Sequence, residues 1–327
     1  MSPSSQAQVP PERILSTLQA YRDAAALDTA IQLELFTRIA HGADTPGKIA
    51  TELAVPVRGI RVLCNYLAAA GLLVKDGEQL QLAEDSAIYL DKVSPSYIGH
   101  AAGVLYSGPM RRWFDRLSEF VRGETRPQSS AADDWFDLAR GMTDRTAAGR
   151  AFAEALALPS GPIKILHAAA GDGMYGIAAA SRYPQAVVVA VDRPPALKVA
   201  HQNAVRAKLG TRYQNVPGDL FSQSFGSGFD AAMVVEQLYL LEPAEIELSM
   251  KRVRDALKKT GQLFILELLT DDSPEYADFA LTLLTATRHG GAYSLAEVKQ
   301  MLRLSGFSSM ESQPLPAARA TLVTARP

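Results

Sequence analysis

The stretch His167-Ala-Ala-Ala-Gly171-Asp172-Gly173-Met-Tyr-Gly176 follows directly on an apolar run at residues 163–166 and leads into a helical pattern at 177–181. Glycines at such a junction let the backbone turn sharply out of a strand, approach a ligand closely and aim a helix N-terminus at it. Strand, turn and helix in immediate succession form the first half of a βαβ unit, which commits this part of the chain to a covered, largely parallel sheet.

The same rhythm continues to the C-terminus. Apolar runs predict strands at 163–166, 186–192, 213–216, 229–235 and 262–268, and helical spacing predicts helices at 196–208, 243–257 and 295–304. Two further runs, 308–312 and 321–325, read as a terminal hairpin. The fold class expected is α/β, a Rossmann-like, doubly wound sheet over residues 161–327.

The N-terminal part, residues 12–95, has a different pattern. A helix is expected over 13–40, stopped at His41-Gly42, and Asp44-Thr45-Pro46 caps a second helix at 47–53. A third, at 58–70, ends at Gly71, and Leu72 to Leu82 alternates around Asp76-Gly77 as a hairpin. Helices followed by a small β wing give a winged-helix order. Residues 96–160 read as a helical connector, with a helix at 110–122, a polar loop at 123–130, and Trp113, Phe114, Phe120, Trp135 and Phe136 as core aromatics.

A winged helix invites a DNA-binding reading, and Arg58 and Arg61 lie on its 58–70 helix. That helix is otherwise apolar, with Val57, Ile60, Val62, Leu63, Cys64, Tyr66 and Leu67, and the whole chain of 327 residues carries a formal net charge of -2. A phosphate footprint needs more positive charge than this. Dimerisation or lid packing suits the module better, and a homodimer through the N-terminal domain is expected. Cys64 is the single cysteine, so no intramolecular disulfide forms, and it is expected as a small buried hydrophobe. With 47% hydrophobic residues but no run approaching the roughly 20 apolar residues of a membrane span, and a polar residue 1–11 segment, cytoplasmic residence is expected.

In a doubly wound sheet the ligand lies beyond the carboxyl ends of the strands. Asp192 ends the second strand, where a carboxylate accepts ribose hydroxyls. Gly218-Asp219-Leu220-Phe221 follows the third, with a carboxylate for an exocyclic amine and apolar groups to sandwich a purine. Glu236 to Leu241 follows the fourth, and Glu236, Gln237 and Glu267 stand near strand ends, where ordinary strand-end hydrogen bonding is the simplest role. Gly171, Gly173 and Gly176 also satisfy G-x-G-x-x-G with Asp192 about 20 residues on, the pattern of a dinucleotide oxidoreductase. The helical N-terminal module and the downstream Gly-Asp-Leu-Phe favour an adenosyl site instead.

On these residues the chain resembles the S-adenosylmethionine-dependent O-methyltransferases with an N-terminal winged-helix dimerisation domain, which include plant caffeate-type enzymes and bacterial polyketide and hydroxyneurosporene methyltransferases. The resemblance runs from about Ile14 to the last strand. It implies S-adenosylmethionine as cofactor, Gly171 and Gly173 lining its methionine part, Asp192 holding the ribose, and Asp219, Leu220 and Phe221 holding the adenine.

The departures from that family are specific. His167 stands where the family has an Asp that helps order the cofactor's amino-acid end, and Ala169 and Ala170 replace glycines. Counting back from Lys251 to Leu257, the family's histidine base falls on Tyr239 and its supporting carboxylate on Tyr293, in Gly290-Gly291-Ala292-Tyr293. A phenol with pKa about 10 is a hydrogen-bond donor at neutral pH before it is a base. His289, beside Arg288, and His100 are spare proton acceptors, each with a structural role as the alternative. No metal cluster is expected.

Three readings follow. The chain methylates an acidic hydroxyl, a carbon or a nitrogen of a small aromatic or polyketide-like acceptor by proximity and orientation. Alternatively the fold serves decarboxylase, hydroxylase or pericyclase chemistry, with Tyr239, Tyr293, His289 and Arg288 polarising a carbonyl. The third is a noncatalytic ligand-binding or DNA-binding dimer. Met110, Trp113, Phe279 and Leu283 are expected to wall the acceptor cleft, and Met174 and Tyr175 to touch cofactor or pack the first helix.

Overall fold

The computed structural model describes residues 11–124, 145–222, 224–270, 275–287 and 291–327. The chain divides into two compact units, Met1–Asp115 and Arg116–Pro327. Among the described residues no helix is long and apolar enough to cross a membrane.

In the first unit α1 (Glu12–Gln32), α2 (Leu35–Ala40), α3 (Pro46–Leu53) and α4 (Val57–Ala69) precede the antiparallel hairpin β1 (Leu73–Asp76) and β2 (Gln79–Leu82). The short helices α5 (Glu84–Tyr89), α6 (Ala102–Leu105) and α7 (Gly108–Asp115) follow. Thr45 caps α3 by accepting the Lys48 amide, with Pro46 at the first helical position, where its missing N–H costs nothing. Leu35, Phe36, Ile49, Cys64, Leu67 and Leu80 form the buried core. Burial pushes the Cys64 thiol up to about 11, so it is an inert packing group.

Two helices expected as continuous are broken. The 13–40 segment divides at Leu33-Glu34, with Glu34 in the left-handed region at φ 51. The break brings Leu35, Phe36 and Ile39 into the core and sets the Glu34 carboxylate 2.6 Å from Lys92 Nζ. The 110–122 segment divides at Arg116 into α7 and α8 (Leu117–Val121). In both cases the apolar period continues through the break, which is why spacing alone does not reveal it.

The second unit adds α9 (Arg145–Ala155), β3 (Ile163–Ala168), α10 (Met174–Arg182), β4 (Ala186–Asp192), α11 (Pro194–Arg206) and β5 (Tyr213–Pro217). Then come β6 (Phe229–Val235), α12 (Pro243–Ala256), β7 (Leu257–Glu267), α13 (Glu275–Ala286), α14 (Leu295–Leu304), β8 (Ser309–Leu315) and β9 (Ala320–Arg326). The seven strands run in the order β5-β4-β3-β6-β7-β9-β8. Neighbours are parallel from β5 to β7, and the terminal pair adds antiparallel partners. Strand β7 starts five residues before the expected 262, because Leu257 pairs with Phe229 ahead of an irregularity in the β6–β7 register.

Both faces of the sheet are covered. Ile163, Ile165, Val188, Met233 and Phe264 pack with Phe152 of α9 and Ile177 of α10. Leu166, Ala168, Ala232 and Ile265 pack with Ile246 and Met250 of α12 and Leu302 of α14. Each fully buried side chain of this size contributes roughly 2 kcal/mol of apolar burial. Strand order reverses between β3 and β6, so the carboxyl ends of β4, β3 and β6 open the crevice where such sheets bind ligands.

Ala54 ends α3 in the left-handed region at φ 53 and is exposed. Glycine takes that conformation without the Cβ penalty. Ala54→Gly is expected to stabilise the protein by up to about 1 kcal/mol, measured as a higher denaturation midpoint at unchanged slope; a lower midpoint contradicts the cap geometry.

Candidate active site

The glycine turn joins β3 to α10 and is tied to the end of β4. Ala169, Gly171 and Gly173 all have positive φ, at 56, 57 and 81. The Ala170 amide donates to the Val191 carbonyl at 3.1 Å and the Gly171 amide to Asp192 Oδ2 at 2.7 Å. Asp192 Oδ1 accepts the Arg193 amide, and the Asp192 carbonyl accepts the Gly218 amide. One residue thus connects the ends of β3, β4 and β5. A Cβ on Gly173 would lie 2.5 Å from the Tyr213 hydroxyl, so only glycine fits there.

Asp172 stands at the turn's crest. Its Oδ1 accepts the Met174 amide at 3.1 Å in the first turn of α10, and Asn203 of α11 donates to its carbonyl. Its Oδ2 receives Arg145 Nη1 at 2.9 Å. The Arg145 guanidinium lies 5.3 Å over the Tyr175 ring, and its Nη2 is 3.6 Å from Oε2 of Glu236, beyond β6. The Tyr175 hydroxyl donates to Glu236 Oε1 at 3.1 Å. Glu236 itself has φ 51 and donates its amide to Leu266. Strained backbone at strand ends of this kind is held by the surrounding bonds.

His167 lies beneath the turn. It is 1% exposed, and a Cβ on Gly176 would be 2.7 Å from its Nδ1, so the imidazole packs against the α10 backbone. Burial, reinforced by the Arg145 charge, pushes its pKa down to about 3. It is a neutral spacer in the floor of the site.

Asp219 follows β5 with its carboxylate fixed. Oδ1 accepts the Phe221 and Ser222 amides at 2.7 and 2.6 Å, and Oδ2 accepts the Ser222 hydroxyl. The Ser222 and Phe221 bonds hold the carboxyl below the usual carboxylate range. Leu220 belongs to the buried core and Phe221 is half-buried above it.

A second cluster gathers the segments after β6 and β7. Tyr239 occupies a 3₁₀ turn, Leu238–Leu240, is 3% exposed, and meets Phe279 edge-on at 5.0 Å, with Leu283 beside it. Buried Glu267 accepts the Leu238 and Leu268 amides, and burial pushes its pKa up to about 8. The Gly291 amide donates to the Tyr239 carbonyl, and the Thr270 amide to the Tyr293 carbonyl. The Tyr293 hydroxyl donates to the Leu241 carbonyl at 2.5 Å, and burial lifts its pKa to about 12. Its phenol is therefore engaged by the main chain and is not a base near neutral pH.

The structure thus brings Gly171, Gly173, Asp192 and Glu236 into one network with Asp172, and Tyr239 and Tyr293 into another, while Asp219, Leu220 and Phe221 follow the adjacent strand. His289, Arg288, Gly290, Trp135 and Phe136 lie outside the described residues. His100 is exposed, its ring 6.2 Å from that of Tyr97. Met110 is buried and Trp113 half-buried within the first unit. Sequence reasoning missed Arg145: one arginine 27 residues before Asp172 carries no spacing signal, and only folding places it there.

A model of the O-methyltransferase domain matches residues 140–308. The 3-hydroxy-5-methyl-1-naphthoate 3-O-methyltransferase of Streptomyces sahachiroi is 26% identical over 88% of this chain and 86% of its own. The L-tyrosine C(3)-methyltransferase of Streptomyces lavendulae is 24% identical over 86% of this chain and 82% of its own. A crystal structure described as an O-methyltransferase of Nostoc punctiforme PCC 73102 superposes with a TM-score of 0.80 at 28% identity, covering 98% of this chain and 100% of the other.

Two buried groups make stability depend on pH. The His167 pKa falls from 6.5 to about 3 on folding, so the unfolded chain binds the extra proton between those values and stability is lost as pH falls below 6.5. The Glu267 pKa rises from 4.5 to about 8, so the folded chain holds the extra proton and stability is lost as pH rises from 4.5 to 8. The slopes oppose between 4.5 and 6.5, giving a plateau flanked by losses of about 1 kcal/mol per pH unit. Urea midpoints against pH should show it; Glu267→Gln should flatten the alkaline limb and His167→Asn the acid limb, and unchanged limbs contradict these environments.

Proposed function

The chain belongs to the O-methyltransferase family, whose methyl donor is S-adenosylmethionine, and we propose that it methylates a hydroxyl of a small aromatic or polyketide-like acceptor by holding it in line, without a histidine base at Tyr239. The observation that carries this reading is the row of anchored carboxylates at successive strand ends beside the glycine turn, Asp192 and then Asp219. Relatives named for hydroxynaphthoate and L-tyrosine support an aromatic acceptor.

The donor set suits the cofactor. Both Asp192 oxygens already accept main-chain amides, which orients their remaining lone pairs for vicinal ribose hydroxyls. The fixed Asp219 carboxylate suits the adenine amine, with Leu220 and Phe221 alongside its ring. Gly171 and Gly173 keep the turn low enough for the methionine part, Glu236 supplies negative charge at its amino-acid end, and His167 braces the turn from beneath. The cofactor supplies a sulfonium-bound methyl carbon.

Apolar Phe279, Leu283 and Leu268 around Tyr239 exclude water from the acceptor and restrict its tilt. The Tyr239 phenol acts as hydrogen-bond donor to the acceptor. An acidic phenol enters partly ionised, and alignment supplies most of the acceleration. Residues 161–327 form the catalytic domain, 96–160 a connector and acceptor wall, and 12–95 the dimerisation domain. For the homodimer the support is the exposed stripe Ile14, Leu18 and Tyr21 on α1, at helical spacing. Cytoplasmic residence completes the reading.

Calorimetric titration of the full chain with S-adenosylhomocysteine is expected to show saturable binding; none at millimolar ligand would falsify the cofactor assignment. Tyr239→Phe is expected to change turnover of a phenol panel by less than about tenfold, since the general base factor of about 100 or more is absent; a hundredfold loss makes Tyr239 the base. Elution of the full chain as a monomer at micromolar concentration contradicts the homodimer.

A further inference from the structure

Among the described residues Arg145 is the cation paired with Asp172 and Glu236 at the glycine turn, and its donors are unevenly used. Nη1 is spent on Asp172 at 2.9 Å. Nη2 stands 3.6 Å from Glu236, outside hydrogen-bond range, and Nε is buried with no hydrogen-bond partner among the described residues. Nε and Nη2 form the lateral edge of the guanidinium, the edge whose two parallel N–H groups grip a carboxylate bidentately. A buried unsatisfied donor costs free energy unless a partner arrives.

The surroundings keep that edge in place. The Tyr175 ring lies under the guanidinium, Tyr175 is itself fixed by its bond to Glu236 and by edge-on contact with Phe152 at 5.5 Å, and only 14% of the Arg145 side chain is exposed. The charges also match a ligand. Asp172 and Glu236 bring two negative charges, Arg145 one positive, and His167 none. A net charge of about -1 faces a cofactor whose carboxylate, ammonium and sulfonium sum to about +1.

We propose that Arg145 is a cofactor-binding residue that reads the carboxylate of the amino-acid end through its Nε–Nη2 edge, while Glu236 and Asp172 face the ammonium. This rests on the methyltransferase reading above and makes the site selective for adenosyl ligands that carry the amino acid over thioether nucleosides that lack it. It also accounts for a turn that functions over a neutral His167: the charge order of the amino-acid end is set from the side, by α9.

The test is paired calorimetry on the full chain with S-adenosylhomocysteine and 5'-methylthioadenosine, which share the adenosyl thioether and differ in the amino-acid portion. Arg145→Ala should weaken S-adenosylhomocysteine at least tenfold and leave 5'-methylthioadenosine within about twofold, a difference of about 1.4 kcal/mol or more. Arg145→Lys, which keeps the charge and loses the fork, should fall between. Equal weakening of both ligands makes Arg145 a structural strut, and no change in either removes it from the site; both overturn the proposal. Retained 5'-methylthioadenosine binding also reports that the variants fold. Failure of the unsubstituted protein to bind either ligand refutes the cofactor assignment itself, a separate outcome.

Discussion

The bond from the Gly171 amide to Asp192 Oδ2, 2.7 Å long, organises the second unit. It joins the turn after β3 to the end of β4, and the same aspartate holds the residue after β5 through its carbonyl. A carboxylate accepting main-chain amides is fixed in both position and charge. The left-handed residues of the turn, including Ala169 at φ 56, are held open by these bonds, at a cost on the order of 1 kcal/mol for the non-glycine.

From that bond the site extends in two directions, with different physics. On the side of α9 it is electrostatic: Asp172, Arg145, Tyr175 and Glu236 form a largely buried chain of ion pairs and hydrogen bonds, drawn from α9, the turn, α10 and the end of β6. Around Tyr239 it is apolar and braced by main-chain bonds. Glu267 holds the turn that carries Tyr239, and Tyr293 anchors the neighbouring segment to Leu241.

This division suits methyl transfer by orientation. A sulfonium methyl is reactive once a nucleophile is aligned with it, so the protein's contribution is placement, charge matching and exclusion of water. Neutral His167 beneath the turn contributes shape and leaves the charge to residues above it. The first unit shows the same economy, with an apolar core around Phe36 and Leu67 and an apolar stripe left on the surface of α1.

The sequence by itself determined the alternation of strands and helices from 161 onward, the cap at Thr45-Pro46, the wing and the strand ends bearing Asp192, Asp219 and Glu236. These are local or periodic signals: apolar spacing, turn chemistry and a residue's place just after a run. It did not reveal the break at Glu34, because the apolar period runs through it and only the burial of Leu35 and Phe36 rewards the left-handed residue. Nor did it show that His167 points into the floor, that the Tyr293 hydroxyl is engaged, or that Arg145 reaches Asp172 from 27 residues away. Those properties depend on which groups packing brings together and what water it removes, so only the tertiary structure decided them.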